Sequence, residues 1–301
     1  MDEHLTQIVV VLAVAMIVAI VARRLKLPYT VGLVVVGAIV TLTRPDFGPH
    51  LTHEVIFDLI LPPLLFEAAL SLSWRELLRD SLPLLVLAGL GTLVSAAVVT
   101  LACVHLLHWP TTSALIFGAL IAATDPVAII AMFKDNDVKG RLRLLVESES
   151  LLNDGAAAVL FVMALAWARG QGAGDGAADI LLTLGRIVFG GVAIGAVIGG
   201  GAILLALGTA EHMVEAALTT IAAFGSFLVA EHFHVSGVLA TVTAGLMMGN
   251  LGLLREDARS YLSYKGREFV HGFWEFAAFL ANSMVFMMIG VDVATTPFRD
   301  Y

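Results

Sequence analysis

Charge is scarce in this chain. Only 14% of its 301 residues are Asp, Glu, Lys or Arg, against about 25% in an ordinary soluble domain. That scarcity excludes a solvated surface over most of the length. Cysteine is almost missing too. The single Cys103 excludes an intrachain disulfide, and its place in an apolar run assigns it to packing. The opening MDEHLTQ holds no Lys or Arg, so a cleavable signal peptide is not expected there. No lipidation or glycosylation signal stands out. No internal repeat is visible by eye.

Hydrophobic residues are abundant. They make up 59% of the chain and come in runs that can cross a hydrocarbon core of about 30 Å. The fold class expected is an all-α polytopic membrane protein. Ten candidate spans can be counted, near 5–22, 28–42, 54–72, 82–107, 112–132, 144–167, 180–208, 213–230, 235–250 and 268–293. Several are short or broken by Gly and Pro, as in transporters with tilted or discontinuous helices. Thirteen of the seventeen Lys and Arg fall after spans one, three, five and nine, on one side. The other side has Arg44, Arg169 and Arg299, and Arg186 lies within span seven. The positive-inside rule makes the thirteen-residue side cytoplasmic and puts the N-terminus outside. QGAGDGAA (171–178) reads as an external linker after span six.

The net charge of −8 says little about partners, because some of the acids lie inside the hydrophobic runs. A carboxylate at the bilayer centre costs about 2.5–3.5 kcal/mol on insertion scales, so a buried one is a candidate ion or proton site. LLVESESLLNDGAAAVLFVMAL (144–165) puts Glu147, Glu149 and Asp154 in such a run. Asp154 is about 15 Å of helix from the cytoplasmic start of its span, near mid-bilayer. Glu147, Ser150 and Asp154 share one stripe at i, i+3 and i+7, a polar route to Asp154. Glu149 and Asn153 share a different face, toward a neighbouring helix. In the preceding span, Thr124-Asp125-Pro126 sits near the same depth. Pro126 lacks a donor and disfavours helix at Asp125, so a break there frees carbonyls such as that of Thr124 to face a cation.

Other polar residues have plainer readings. Glu67 lies close to the cytoplasmic end of span three, where a snorkelling role competes with a site role. Glu147 can belong to the loop. Glu275 and Asp292 read as boundary charges, and His232 and His234 as solvated turn residues, although histidine also suits pH sensing. Gly191, Gly195 and Gly199 form overlapping GxxxG spacings. They point to close helix packing, within one chain or across a dimer.

LPPLLFEAAL (61–70), GALIAATDPVAIIAMFK (118–134), ESLLNDGAAAVLF (149–161), SGVLATVTAGLMMGN (236–250) and FWEFAAFLANSMVFMMIG (273–290) closely resemble the electroneutral sodium/proton antiporters. That branch holds the NhaP-type antiporters of bacteria and archaea and the animal sodium/proton exchangers. The ATDP and ESLLND motifs, in this order, are highly specific together.

The resemblance implies a fold of about thirteen helices, with two inverted repeats forming a core domain beside a dimerisation domain. It gives 1–167 as the first repeat unit, 180–208 as a linking helix and 213–301 as a partial second repeat. The expected activity is exchange of a monovalent cation, Na+ with Li+ or K+ as alternatives, for H+ by alternating access. Asp154 becomes the main cation- and proton-binding carboxylate, with Asp125, Thr124 and Ser150 as further Na+ ligands and Glu67 nearby. Asn153 becomes the Asn of the family's Asn-Asp pair; the electrogenic branch carries Asp there. Glu149 becomes the structural glutamate that pairs with an arginine on a later helix. The resemblance places the family's last three helices after residue 301, so the chain is expected to be a fragment, a truncated gene product or a chain whose end is not shown. No cofactor is implied. The expected setting is a homodimer in the lipid of a bacterial plasma membrane.

Two readings from other classes compete. One is a non-transporting cation- or pH-sensing subunit. The other is an intramembrane aspartyl hydrolase using Asp125 and Asp154, but Gly155 follows Asp154 where a GxGD context needs glycine before it.

Overall fold

The computed structural model describes residues 13–18, 20–22, 24, 29–43, 59–124, 126, 129–130, 132–133, 138, 140–169, 177–254 and 260–295. Among these residues there is no strand. In hydrocarbon, water cannot satisfy a backbone N–H or C=O, so each apolar run must satisfy its own as helix.

The helices are α1 (Tyr29–Thr43), α2 (Leu61–Leu70), α3 (Trp74–Arg79), α4 (Ser81–Leu106), α5 (Thr111–Ile121), α6 (Arg141–Ala168), α7 (Ala177–Ala206), α8 (His212–His232), α9 (Gly237–Met248) and α10 (Tyr264–Thr295). Before α1, residues 13–18 and 20–22 are also helical. Each hydrophobic run read from the sequence contains an apolar helix, five of them long enough to cross a membrane and five of 10–17 residues. The short helix α3 is amphiphilic and lies between runs. Wide π-type turns interrupt α4 at Val86–Gly91 and follow α9 at Gly249–Leu253. Most of the Gly-rich linker 171–178 is outside the described residues.

The chain divides into two compact units, Met1–Leu64 with Gly272–Tyr301, and Leu65–His271. The first has a core of Ala15, Val18, Leu33 and Met287, flanked by Val14, Tyr29, Val36, Met284 and Phe286. Gly37 lies on the backbone of Met287, and Gly290 on that of Val34, so α1 and α10 touch main chain to main chain.

The second unit is organised around α9, which is buried along nearly its whole length. Ser236 caps its N-terminus, accepting the Leu239 amide at 3.2 Å. Three neighbours use it as a wall. Gly191, Gly195 and Gly199 of α7 lie against Ser236, Ala240 and Ala244. The GxxxG spacing left open in the sequence is therefore a seam inside one chain. On α8, Ala216, Thr219, Ala222, Ala223, Ser226, Phe227 and Ala230 are buried at helical spacing. The Ser226 and Thr241 hydroxyls meet at 3.4 Å between α8 and α9. From α2, Phe66 and Ala69 pack on Gly245, and the Leu70 backbone packs on Gly249.

The large side chains point the other way. On α7, Phe189, Val197 and Leu204 are each more than 70% exposed, while the glycine edge faces α9. Small residues inside and large apolar ones outside is the pattern expected when lipid is the solvent.

Candidate functional site

Helix α5 ends at Ile121, and Ala123, Thr124 and Pro126 are not helical. The helical bond from the Ile130 amide to the Pro126 carbonyl, 2.8 Å, marks where winding resumes. The break expected from Pro126 is present. Asp125 itself lies outside the described residues.

Helix α6 runs unbroken past this break and grips it with two side chains. The Ser150 hydroxyl donates to the Thr124 carbonyl at 3.1 Å. Asn153, only 2% exposed, donates through Nδ2 to Thr124 Oγ1 at 2.8 Å and to Glu149 Oε1 at 3.0 Å. A carboxylate oxygen can only accept, so the Glu149 contact fixes which end of the amide is nitrogen. Asn153 Oδ1 is buried and takes no hydrogen bond among the described residues.

Two sequence expectations are visible in this geometry. Glu149 and Asn153 share a face and are bonded to each other. The carbonyl of Thr124 is released from helix, but its partner is the Ser150 hydroxyl rather than open space. Any cation approaching this carbonyl meets an oxygen with one lone pair already engaged. Glu149 meets Asn153 and no cationic side chain among the described residues.

Asp154 is partly buried next to Asn153 on α6, and Glu67 is partly buried on α2. Both helices lie against α9. Gly155 packs on Leu239 and Val238, while Phe66 and Ala69 pack on Gly245. One wall thus fixes the helix of each carboxylate. Glu147 is different: it pairs with Arg143 at 2.7 Å, and both side chains are about 30% exposed. The first member of the Glu147–Ser150–Asp154 stripe is an ion pair near the start of α6. Glu275, Asp292, His232 and His234 are all exposed.

Sequence reading passed over two buried acids. Asp80, 4% exposed at the side chain, pairs with Arg141 at 2.7 Å, tying the α3–α4 turn to the first residue of α6. Glu215, fully buried, accepts the Ser263 amide on Oε1 at 3.0 Å and the Ser263 hydroxyl on Oε2 at 2.9 Å. Gly266 lies directly on that carboxylate. Ser263 Oγ in turn accepts the Gly266 amide at 3.0 Å. Glu215 therefore braces the start of α10. Burial, and then the charge of Glu215, push the nearby Tyr261 phenol above the usual tyrosine range. The only local signal for Glu215 was an acid in the first turn of an otherwise apolar helix.

A helical fold among the described residues with apolar faces outward, and a helix break gripped by an amide and a hydroxyl one residue from Asp154, is an arrangement suited to membrane transport. Comparison with known proteins agrees. The family model described as sodium/hydrogen exchanger, transmembrane, matches residues 10–298. The chain is 36% identical to the Na(+)/H(+) antiporter ApNhaP of Aphanothece halophytica, over 97% of this chain and 55% of that protein. It is 34% identical to the low-affinity Na(+)/H(+) antiporter NhaS1 of Synechocystis, over 99% of this chain and 56% of that protein. Its fold matches that of the sodium proton antiporter MjNhaP1 from Methanocaldococcus jannaschii with a TM-score of 0.75 and 20% identity, covering 96% of this chain and 70% of that one. The chain belongs to the sodium/hydrogen exchanger transmembrane family, a family of transporters rather than enzymes. It spans about half the length of the curated relatives it matches.

Proposed function

We propose that the protein exchanges a monovalent cation for a proton at Asp154, with Na+ as the main substrate and Li+ or K+ as alternatives. The observation that carries this is the grip of Ser150 and Asn153 on Thr124, at the helix break and one residue from Asp154. Thr124, Ser150 and the unengaged Asn153 Oδ1 bring oxygens to one place. Hard monovalent cations take such oxygens, and carboxylates supply the charge. Asp125 and Glu67 complete the proposed set, and Glu149 holds Asn153 in orientation.

The mechanism is competition. Ionised Asp154 binds the cation and protonated Asp154 does not. Either ligand neutralises the site and lowers the cost of carrying it past an apolar barrier. Alternating access then exposes it to each side in turn. Electroneutral exchange follows from Asn153: a buried amide at this position brings no second proton and no second charge.

The proposed setting is a plasma membrane, with the N-terminus outside and the thirteen-residue basic side in the cytoplasm. The repeat boundaries 1–167 and 213–301, the linking helix 180–208 and a homodimer belong to the same proposal. No cofactor is required.

The test is cation-induced proton movement in everted vesicles carrying the full-length protein, with sodium, lithium or potassium added across a pH series. Dissipation of the proton gradient by sodium supports the proposal. Asp154→Asn is expected to abolish it at normal membrane yield; retained sodium-dependent proton flux in that variant removes Asp154 from its role. Cation binding without flux in the unmodified protein supports a sensing subunit instead.

A further inference from the structure

Asn250 closes the motif SGVLATVTAGLMMGN, yet it lies one helix away from the residues assigned to transport. Its side chain makes three hydrogen bonds. Nδ2 donates to the Leu246 carbonyl of its own helix at 2.8 Å and to the Leu72 carbonyl at 2.9 Å. Oδ1 accepts the Trp74 amide at 2.7 Å. The last two partners are 178 and 176 residues away in sequence. They flank the turn that joins α2 to α3.

That turn lacks its own closure. Ser73 occupies the N-cap position of α3, but its side chain makes no cap bond. A helix start needs acceptors for its first amides, and a helix end needs donors for its last carbonyls. Asn250 supplies one of each from across the helix interface. Such a bridge requires a group with a donor and an acceptor on one planar head, as an amide has.

The same residue sits beside close contacts between α2 and the end of α9. Gly249, immediately before it, lies on the Leu70 backbone, and Gly245, one turn earlier, lies on Phe66 and Ala69. Glu67 is between these contacts in sequence, five residues before Leu72. The glycines let the helices touch but do not set their register along the common axis. Directional bonds at the end of α2 do.

We propose that Asn250 is a positioning residue for transport: it clasps the α2–α3 turn to the end of α9 and so fixes the depth and rotation of α2, which carries Glu67. This rests on the proposed role of Glu67 in approaching the cation site. Loss of the clasp leaves the fold assembled by the glycine contacts but lets α2 shift. The expected defect is in cation affinity more than in maximal rate.

The experiment pairs two readouts on the full-length protein. In everted vesicles, Asn250→Ala is expected to raise the half-maximal sodium concentration about tenfold, the order expected for loss of hydrogen bonds, while the maximal rate changes less. Hydrogen exchange of peptides covering 71–78 is expected to rise in the same variant. Asn250→Gln keeps both the donor and the acceptor on a longer side chain, so its sodium shift should fall between wild type and Asn250→Ala; it also serves if the alanine variant inserts poorly. Combined with Glu67→Gln, the shifts should be less than multiplicative. Unchanged sodium dependence in Asn250→Ala at native yield overturns the proposal. So do fully multiplicative effects with Glu67→Gln. An inert Glu67→Gln beside a large Asn250→Ala shift identifies a failure of the Glu67 assignment, and the positioning of α2 for that residue falls with it.

Discussion

Two helix contacts in the Leu65–His271 unit do similar jobs by opposite means. Helix α6 meets the break after α5 through hydrogen bonds, Ser150 to the Thr124 carbonyl and Asn153 to the Thr124 hydroxyl, with Asn153 also held by Glu149 of its own helix. Helix α7 meets α9 through main chain: Gly191, Gly195 and Gly199 on Ser236, Ala240 and Ala244. The glycine seam has no group to exchange. Apart from the hydrogen bond from the Ser236 amide to the Ile187 carbonyl at 3.2 Å, its contact is dispersion over a close surface, and it has one good arrangement. The polar joint consists of oxygens and an amide that can trade partners for a cation or a proton. The proposed exchange calls for both kinds of contact, a fixed one to hold the helices and an exchangeable one at the proposed cation site.

The largest effects should come from forcing the seam apart. A side chain at Gly195 would occupy the backbone of Ala240. Overpacking into a side chain costs about 1–3 kcal/mol, and backbone yields less. Gly195→Leu is expected to abolish monodisperse protein in detergent, measured by size-exclusion chromatography. Gly201, with nothing near its missing Cβ, is the control: Gly201→Ala should elute like the parent. A well-behaved Gly195→Leu protein would show that the seam is softer than its geometry.

Breaking the polar joint should cost less stability and more transport. Asn153→Ala leaves Thr124 Oγ1 and Glu149 Oε1 without their shared donor. The expected loss is about 1–3 kcal/mol of stability, with exchange reduced at least about tenfold. Ser150→Ala removes one hydroxyl–carbonyl bond, for which about 1 kcal/mol is expected. Its sodium affinity should weaken by only a few-fold. Thermal melting in detergent and vesicle flux, measured on both variants, separate the two terms. A Ser150→Ala protein with parental sodium dependence would leave its hydroxyl a packing role.

How far these contacts could be read in the sequence follows from how far apart their partners lie. The break at Pro126 and the Glu149–Asn153 pair depend on neighbours within one turn, and local stereochemistry sufficed for both. The GxxxG spacing was plain, but its partner was not, because α9 begins some forty residues after Gly195. Glu215, Asp80 and Asn250 were silent for the same reason. Their partners are 48, 61 and 176–178 residues away. A carboxylate or amide next to apolar residues looks alike whether it caps a distant helix or faces water. Thr124 is an intermediate case: its release from helix was legible, but Ser150 as its acceptor's partner needed the packing of α6 on α5.

The smallest predicted effect tests whether a polar joint outside the spans is as exchangeable as the one at the site. Tyr261 donates to the Met248 carbonyl at 3.3 Å, and its phenol is held above the usual range by burial and by Glu215. The folded state therefore holds this proton more tightly than the unfolded chain, whose tyrosines titrate near 10. The sign follows from linkage. The contribution is fully present below about pH 10 and is lost as pH rises through the folded value, at up to about 1.4 kcal/mol per pH unit. Tyr261→Phe has no such proton to lose. It should melt slightly below the parent at neutral pH, having given up one hydrogen bond, and its melting temperature should fall less steeply above pH 10. Glu215→Gln removes the second cause of the shift but keeps the first, so its alkaline slope should lie close to the parent's. Parallel alkaline slopes for Tyr261→Phe and the parent would mean that the phenol opens to water before the protein unfolds. The joint at the start of α10 would then belong with the exchangeable contact at Thr124, not with the fixed seam.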